Sequence, residues 1–163
     1  MRKFSRIIKI ALAVPIASML VLAALAVPAS AQNIKTLIAV LNAGQEFFPP
    51  TNEPPDNPSN SFGVAFMTFN ERTKELCYSI SYTSLVASET AAHFHRSPGA
   101  GVAGGVIFPI SPSPSPLGSP KTGCVGPFNR TQRGDLLKGL FYINIHSTSF
   151  PGGEIRGQVL VIK

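Results

Sequence analysis

Tyr142-Ile143-Asn144-Ile145-His146-Ser147-Thr148-Ser149-Phe150-Pro151-Gly152-Gly153-Glu154-Ile155-Arg156-Gly157-Gln158 reads as strand, tight turn, strand. Its first part sets Phe141, Ile143 and Ile145 against Tyr142, Asn144 and His146, the period-two alternation of a strand with one face in a core. His146 therefore points away from that core. The other two histidines of the chain, His93 and His95, stand two apart in the strand-like run Ala91-Ala92-His93-Phe94-His95 and share one of its faces. Strand geometry thus sets the direction of all three.

Residues 1–31 carry a basic start (Arg2, Lys3, Arg6, Lys9), an apolar run over residues 10–27, and Ala29-Ser30-Ala31. This is the layout of a secretory signal peptide with an A-x-A cleavage site. The run is also long enough for an uncleaved membrane anchor, but Pro15, Pro28 and the small-residue motif favour removal. Cleavage places the mature protein in an extracellular or periplasmic compartment. Without those 31 of 163 residues, 132 remain, residues 32–163, as one domain able to bury about two-thirds of its unfolded surface. Four of the fourteen Lys and Arg residues leave with the signal and all eight acidic residues stay, so the net charge falls from +6 to +2. That balance makes no case for nucleic-acid binding. Cys77 and Cys124, the only cysteines, read in an exported chain as one disulfide. Closing that loop is worth roughly 4 kcal/mol in the chain-entropy account.

Residues 35–42 read as a first strand, followed by Ala43-Gly44-Gln45-Glu46 and a loop holding Pro49, Pro50, Pro54, Pro55 and Pro58. Residues 62–70 and 75–85 alternate on either side of a polar turn and form a hairpin. Residues 91–95 and 106–110 supply two more strands around a glycine-rich loop without a phosphate-binding pattern. Residues 111–123, Ser-Pro-rich, are expected to bulge from the domain as an extended segment. Residues 131–140 suit a short helix or crossover, and residues 155–162 a last strand. About seven to eight short strands with scarcely any helical periodicity predict an all-β fold, a Greek-key β-sandwich or flattened barrel.

Leu41-Asn42-Ala43-Gly44-Gln45-Glu46 with Pro49-Pro50, then the His93-Phe94-His95 strand, then the 142–158 stretch together resemble a CHRD domain, the module named after chordin and found in many secreted microbial proteins. The resemblance covers almost the whole mature chain. It implies an extracellular β-sandwich that acts as a binding or interaction module toward an extracellular or cell-envelope protein. Phe47-Phe48 between the Gln-Glu pair and the prolines, and the Ser-Pro run, depart from the usual pattern. More distantly, the histidine spacing is similar to the copper/zinc superoxide dismutase barrel, an analogy of fold alone.

Two imidazoles at i and i+2 of one strand can converge on one ion, and a third from a neighbouring strand adds to the site. His93, His95 and His146 are accordingly the candidate ligands for copper or zinc, the alternative being surface or inter-strand hydrogen bonding. Tyr142 and Asn144, on the His146 face, could orient the imidazoles or bond nearby backbone. Glu154 and Arg156 could support a metal or guide anions, or pair with each other to hold a turn. No catalytic residue is identified. The chain lacks a G-x-S-x-G nucleophile motif and the further histidines of a dismutase, which favours a non-enzymatic module over a copper redox protein.

Overall fold

The computed structural model describes residues 33–47, 57–83, 85–99 and 101–162. The signal-peptide reading of residues 1–31 and the prolines Pro49, Pro50, Pro54 and Pro55 lie outside them. Among the described residues no helix is long and apolar enough to cross a membrane.

Ile34–Asn42 forms β1, which buries Leu37, Ala39 and Leu41 and pairs along its whole length with β2 (Phe62–Asn70). A four-residue turn leads to β3 (Glu75–Tyr82), whose Leu76, Tyr78 and Ile80 face the core. The chain then runs through β4 (Glu89–Arg96), β5 (Gly105–Ser111), β6 (Lys121–Val125), α1 (Arg130–Leu137), β7 (Phe141–Ser147), β8 (Ile155–Gln158) and β9 (Leu160–Val161). Antiparallel pairing follows the order β5-β4-β7-β8-β1-β2-β3-β6, with β9 added to β1. The product is an all-β flattened barrel, nearly closed, with one α-helix among the described residues. The expected last strand divides at Val159, whose N–H turns to the Phe141 carbonyl (2.9 Å).

Two features of residues 111–125 differ from the sequence reading. Residues 121–125 are a strand, and they pair with β3 so that Cys124 lies directly opposite Cys77, the two joined as a disulfide on the side away from the core. Residues 112–120, exposed except at Ser115, run from β5 to β6 and are pinned to the barrel by hydrogen bonds. Ser115 is fully buried there, its Oγ donating to the Thr122 carbonyl (2.6 Å) and lying 3.1 Å from Tyr78 Oη. Lys121 Nζ sits 2.7 Å from Glu89 Oε1 with both side chains buried. Glu89 also accepts from Ser111 Oγ, Tyr82 Oη and the Gly118 N–H, each at 2.5 Å. Removing either ion would leave the other buried and uncompensated, so the pair clamps β6 to β4 across the seam of the barrel.

α1 packs against the barrel through Leu136, which joins the core. Asn129 and Gln132 form a capping box that starts the helix, and the Phe128 ring just before it packs against Phe69, Phe108 and Phe141 at 4.7–5.5 Å. For function the decisive pairing is β4 with β7, which sets Ala91 opposite His146, His93 opposite Asn144 and His95 opposite Tyr142.

Candidate metal centre

Ala92, Phe94, Ile143, Ile145 and Ile155 are fully buried in the core. Alternation therefore turns His93 and His95 of β4, Tyr142, Asn144 and His146 of β7, and Arg156 of β8 to the opposite face of the sheet, with Arg156 paired to Asn144. Polar alternation in sequence reads as a solvated face, yet this one is covered. Tyr142 and Arg156 are 2 % exposed, Asn144 4 %, and His95 and His146 8 %. Three described segments lie over it: Glu46 and Phe47 after a 3-10 turn (Ala43–Gln45), residues 97–99 with 101–104, and the 150–153 turn. Only His93 of the three histidines stays partly open.

One ring nitrogen from each of His93, His95 and His146 lies within 4.8 Å of the others. Hydrogen bonding decides which ring nitrogens keep a lone pair free for a metal. His95 Nδ1 is 2.9 Å from the Gly104 carbonyl and His146 Nδ1 is 3.0 Å from the Pro151 carbonyl. A carbonyl oxygen only accepts, so both Nδ1 atoms carry the proton and both Nε2 atoms present a lone pair. His146 Nε2 meets His93 Nδ1 at 3.1 Å, while His95 Nε2 is buried without a partner among the described residues. Burial lowers the pKa of His93, of His146 (helped by the charge on His93) and of His95, the last to about 4. All three are thus neutral at pH 7, the form in which imidazole binds metal. Ligands on one ion at about 2.1 Å sit roughly 3–4 Å apart, so the His93–His146 pair already has this spacing and the widest pair must close by about 1 Å.

Tyr142 stacks on His95 with centroids 4.7 Å apart and planes at 12°, and the Arg156 guanidinium lies 3.5 Å above the other side of the phenol system. Arg156 Nη2 donates to the Val102 carbonyl (3.0 Å), and its charge also faces the Phe47 ring. Tyr142 Oη accepts from Gly104 N–H (3.0 Å) and donates to the Gly104 carbonyl (3.1 Å), the same carbonyl that takes the His95 proton. A Cβ on Gly104 would lie 2.0 Å from the Arg96 carbonyl, so only glycine lets this peptide reach both side chains. Tyr142 thus contacts the His95 ring directly, and Arg156 contacts the Tyr142 ring.

Asn144 and Glu154 are placed elsewhere. Asn144 Nδ2 donates to Glu46 Oε2 and to the Gly152 carbonyl, each at 3.3 Å, and touches no imidazole through a hydrogen bond. Glu154 is fully buried, and its Oε1 accepts from Ser59 Oγ (2.7 Å), Ser61 Oγ (3.3 Å) and the Val86 N–H (2.7 Å), tying two loops down beside β8. Glu154 and Arg156 form no ion pair with each other; their partners lie on separate loops. The residues that sequence reasoning leaves out are Gly104, Pro151, Phe47 and Glu46. The two carbonyl acceptors carry no side-chain signal, whereas Glu46 stands in the quoted Gln45-Glu46 motif, where nothing local shows that it is buried.

Compared with known protein families, the chain matches the one described as "CHRD domain" over residues 37–159, a span that holds all three histidines, Glu46 and both cysteines. Comparison with the curated proteins and with the solved structures found no match.

Proposed function

The chain belongs to the CHRD-domain family, and from that premise we propose that it is a secreted, non-enzymatic binding module that holds one copper or zinc ion on His93, His95 and His146. The observation that carries this reading is His95 Nε2: a buried, unpartnered lone pair whose ring is fixed by Gly104 and Tyr142 and directed at two other imidazoles. An orphan of this kind is costly unless something satisfies it. The backbone carbonyls of Gly104 and Pro151 supply what outer partners of a metal site supply, fixed tautomers and ring orientation. In the free protein His93 Nδ1–H donates to His146 Nε2, and metal binding through His93 Nδ1 would require the other tautomer, with its proton on Nε2. Three protein ligands would leave a further position on the ion for water or for a donor side chain of an extracellular or cell-envelope partner. The disulfide and the signal-like start both support export.

The test is copper and zinc titration of the purified protein, followed by calorimetry and, for copper, electron paramagnetic resonance. One ion per chain is expected. His95→Ala and His146→Ala should each weaken binding by more than about 100-fold, beyond the usual cost of losing an outer partner. Binding below stoichiometry, or a copper spectrum unchanged in His146→Ala, would overturn the proposal. Superoxide turnover by the copper-loaded protein would move the reading from binding to redox chemistry.

A further inference from the structure

Glu46 is 1 % exposed, in the loop that covers the histidine face, and among the described residues its carboxyl accepts from Asn144 and not from a histidine. Its Oε2 accepts from Asn144 Nδ2, while its Oε1 has no partner among the described residues. The amide of Asn144 is in the complementary condition: Nδ2 is used twice and Oδ1 has no partner. The two orphaned oxygens border one point, since a Cβ on Gly153 would lie 2.4 Å from Asn144 Oδ1 and 2.7 Å from Glu46 Oε1. Two bare acceptors buried around one point repel and lose hydration. One proton removes both faults, because an acid and a primary amide form a cyclic pair, N–H to one carboxyl oxygen and O–H to the amide oxygen.

We infer that Glu46 is a neutral carboxylic acid that donates its proton to Asn144 Oδ1, and that this pair latches the Glu46 loop over the imidazoles as a positioning contact for the metal site. The second half rests on the metal-binding reading above; the first stands without it. Asn144 is the direct cross-strand neighbour of His93, and Gly152, its other partner, adjoins the Pro151 carbonyl that orients His146. A shift of the Asn144 amide therefore reaches two of the three ligands. The charged and titratable groups facing Glu46 are Arg156 on β8 and Tyr142 on β7. Arg156 favours the carboxylate, but burial outweighs it and holds the carboxyl up at about 8. Burial also raises Tyr142, which places its titration above that of Glu46. Above pH 8 the latch loses its proton, the two oxygens repel, and the loop loosens.

Infrared difference spectroscopy of the metal-free protein tests the first half. A protonated-carboxyl band at pH 6 that fades near pH 8 and is missing in Glu46→Gln is expected; its absence in the wild type at pH 6 overturns the inference. Zinc affinity from pH 6 to 9.5 tests the second. The wild type should lose about 10-fold above pH 8, Glu46→Gln should keep its affinity because its amide reproduces both hydrogen bonds, and Glu46→Ala should be about 10-fold weaker throughout. A parallel alkaline loss in Glu46→Gln overturns the positioning role, with urea curves confirming that each variant is folded. If zinc and copper fail to bind the wild type at all, the metal reading fails, and the infrared result still decides the state of Glu46.

Discussion

Exchanging Glu46 for glutamine should reshape the pH dependence of folding stability in the metal-free protein. Burial lifts the Glu46 carboxyl from 4.5 to about 8, against the pull of Arg156 and the Asn144 amide. The folded state then keeps a proton that the unfolded chain releases above pH 4.5. The stability tied to that proton is complete below pH 4.5 and is lost as pH rises to about 8, at about 1.4 kcal/mol per pH unit. Over the whole range the loss is on the order of 5 kcal/mol, of which about 2 kcal/mol falls between pH 6.5 and 8. The buried histidines act in the opposite sense. Their folded pKa values are depressed, that of His95 to about 4, so their stability is complete above pH 6.5 and is lost as pH falls. The wild type should therefore be most stable near pH 6.5 and lose about 2 kcal/mol by pH 8, while Glu46→Gln stays level across that window. At pH 7 the variant should be more stable than the wild type by up to about 3 kcal/mol. Urea denaturation at half-unit pH steps, with a chelator present, measures this. A wild-type profile that is flat from pH 6.5 to 8, or a Glu46→Gln profile that falls alongside it, refutes the reasoning.

Two further outcomes follow from the packing. Lys121→Met leaves Glu89 charged and buried at the seam and should cost about 3–5 kcal/mol in urea denaturation, most of it recovered in the Lys121→Met/Glu89→Gln double variant; a loss under about 1 kcal/mol would show that the ion pair does not hold the barrel closed. Gly153→Ala puts a Cβ 2.4 Å from the Asn144 amide at φ +136 and should cost at least about 2 kcal/mol in thermal melts, whereas Gly105→Ala, with nothing within 4 Å, should stay within about 1 kcal/mol of the wild type.

How much of this was legible in the sequence depended on contrast between neighbouring residues. At the centres of β4 and β7 the inward residues Ala92, Phe94, Ile143 and Ile145 are apolar and the outward residues His93, His95, Tyr142, Asn144 and His146 are polar, and parity alone puts the histidines on one face. In β2 both sets are apolar, Phe62, Val64 and Phe66 against Gly63, Ala65 and Met67, and parity says nothing. The structure turns the smaller set inward, because Gly63 lies where a Cβ would be 3.0 Å from Tyr82 Cβ and 3.4 Å from Leu41 Cβ; Phe62 and Phe66 are left about half exposed. β6 is hidden by the low-complexity run before it and by having no alternation to read in Lys121-Thr122-Gly123-Cys124-Val125. It becomes a strand only because β3 offers it an edge and a cysteine.

The amino-acid sequence by itself determined the all-β class, the cysteine pair, the family motifs and the shared direction of His93, His95 and His146, since each depends on residue type and on a period of two. Only the tertiary structure decided that this direction leads into a covered polar pocket and which imidazole nitrogens are left bare. Those depend on acceptors no periodicity encodes: a carbonyl nine residues from His95, another five residues from His146, and a glutamate 98 residues from Asn144. Residue type states what a histidine can bind; the loops folded over it determine which of its nitrogens is left to do so.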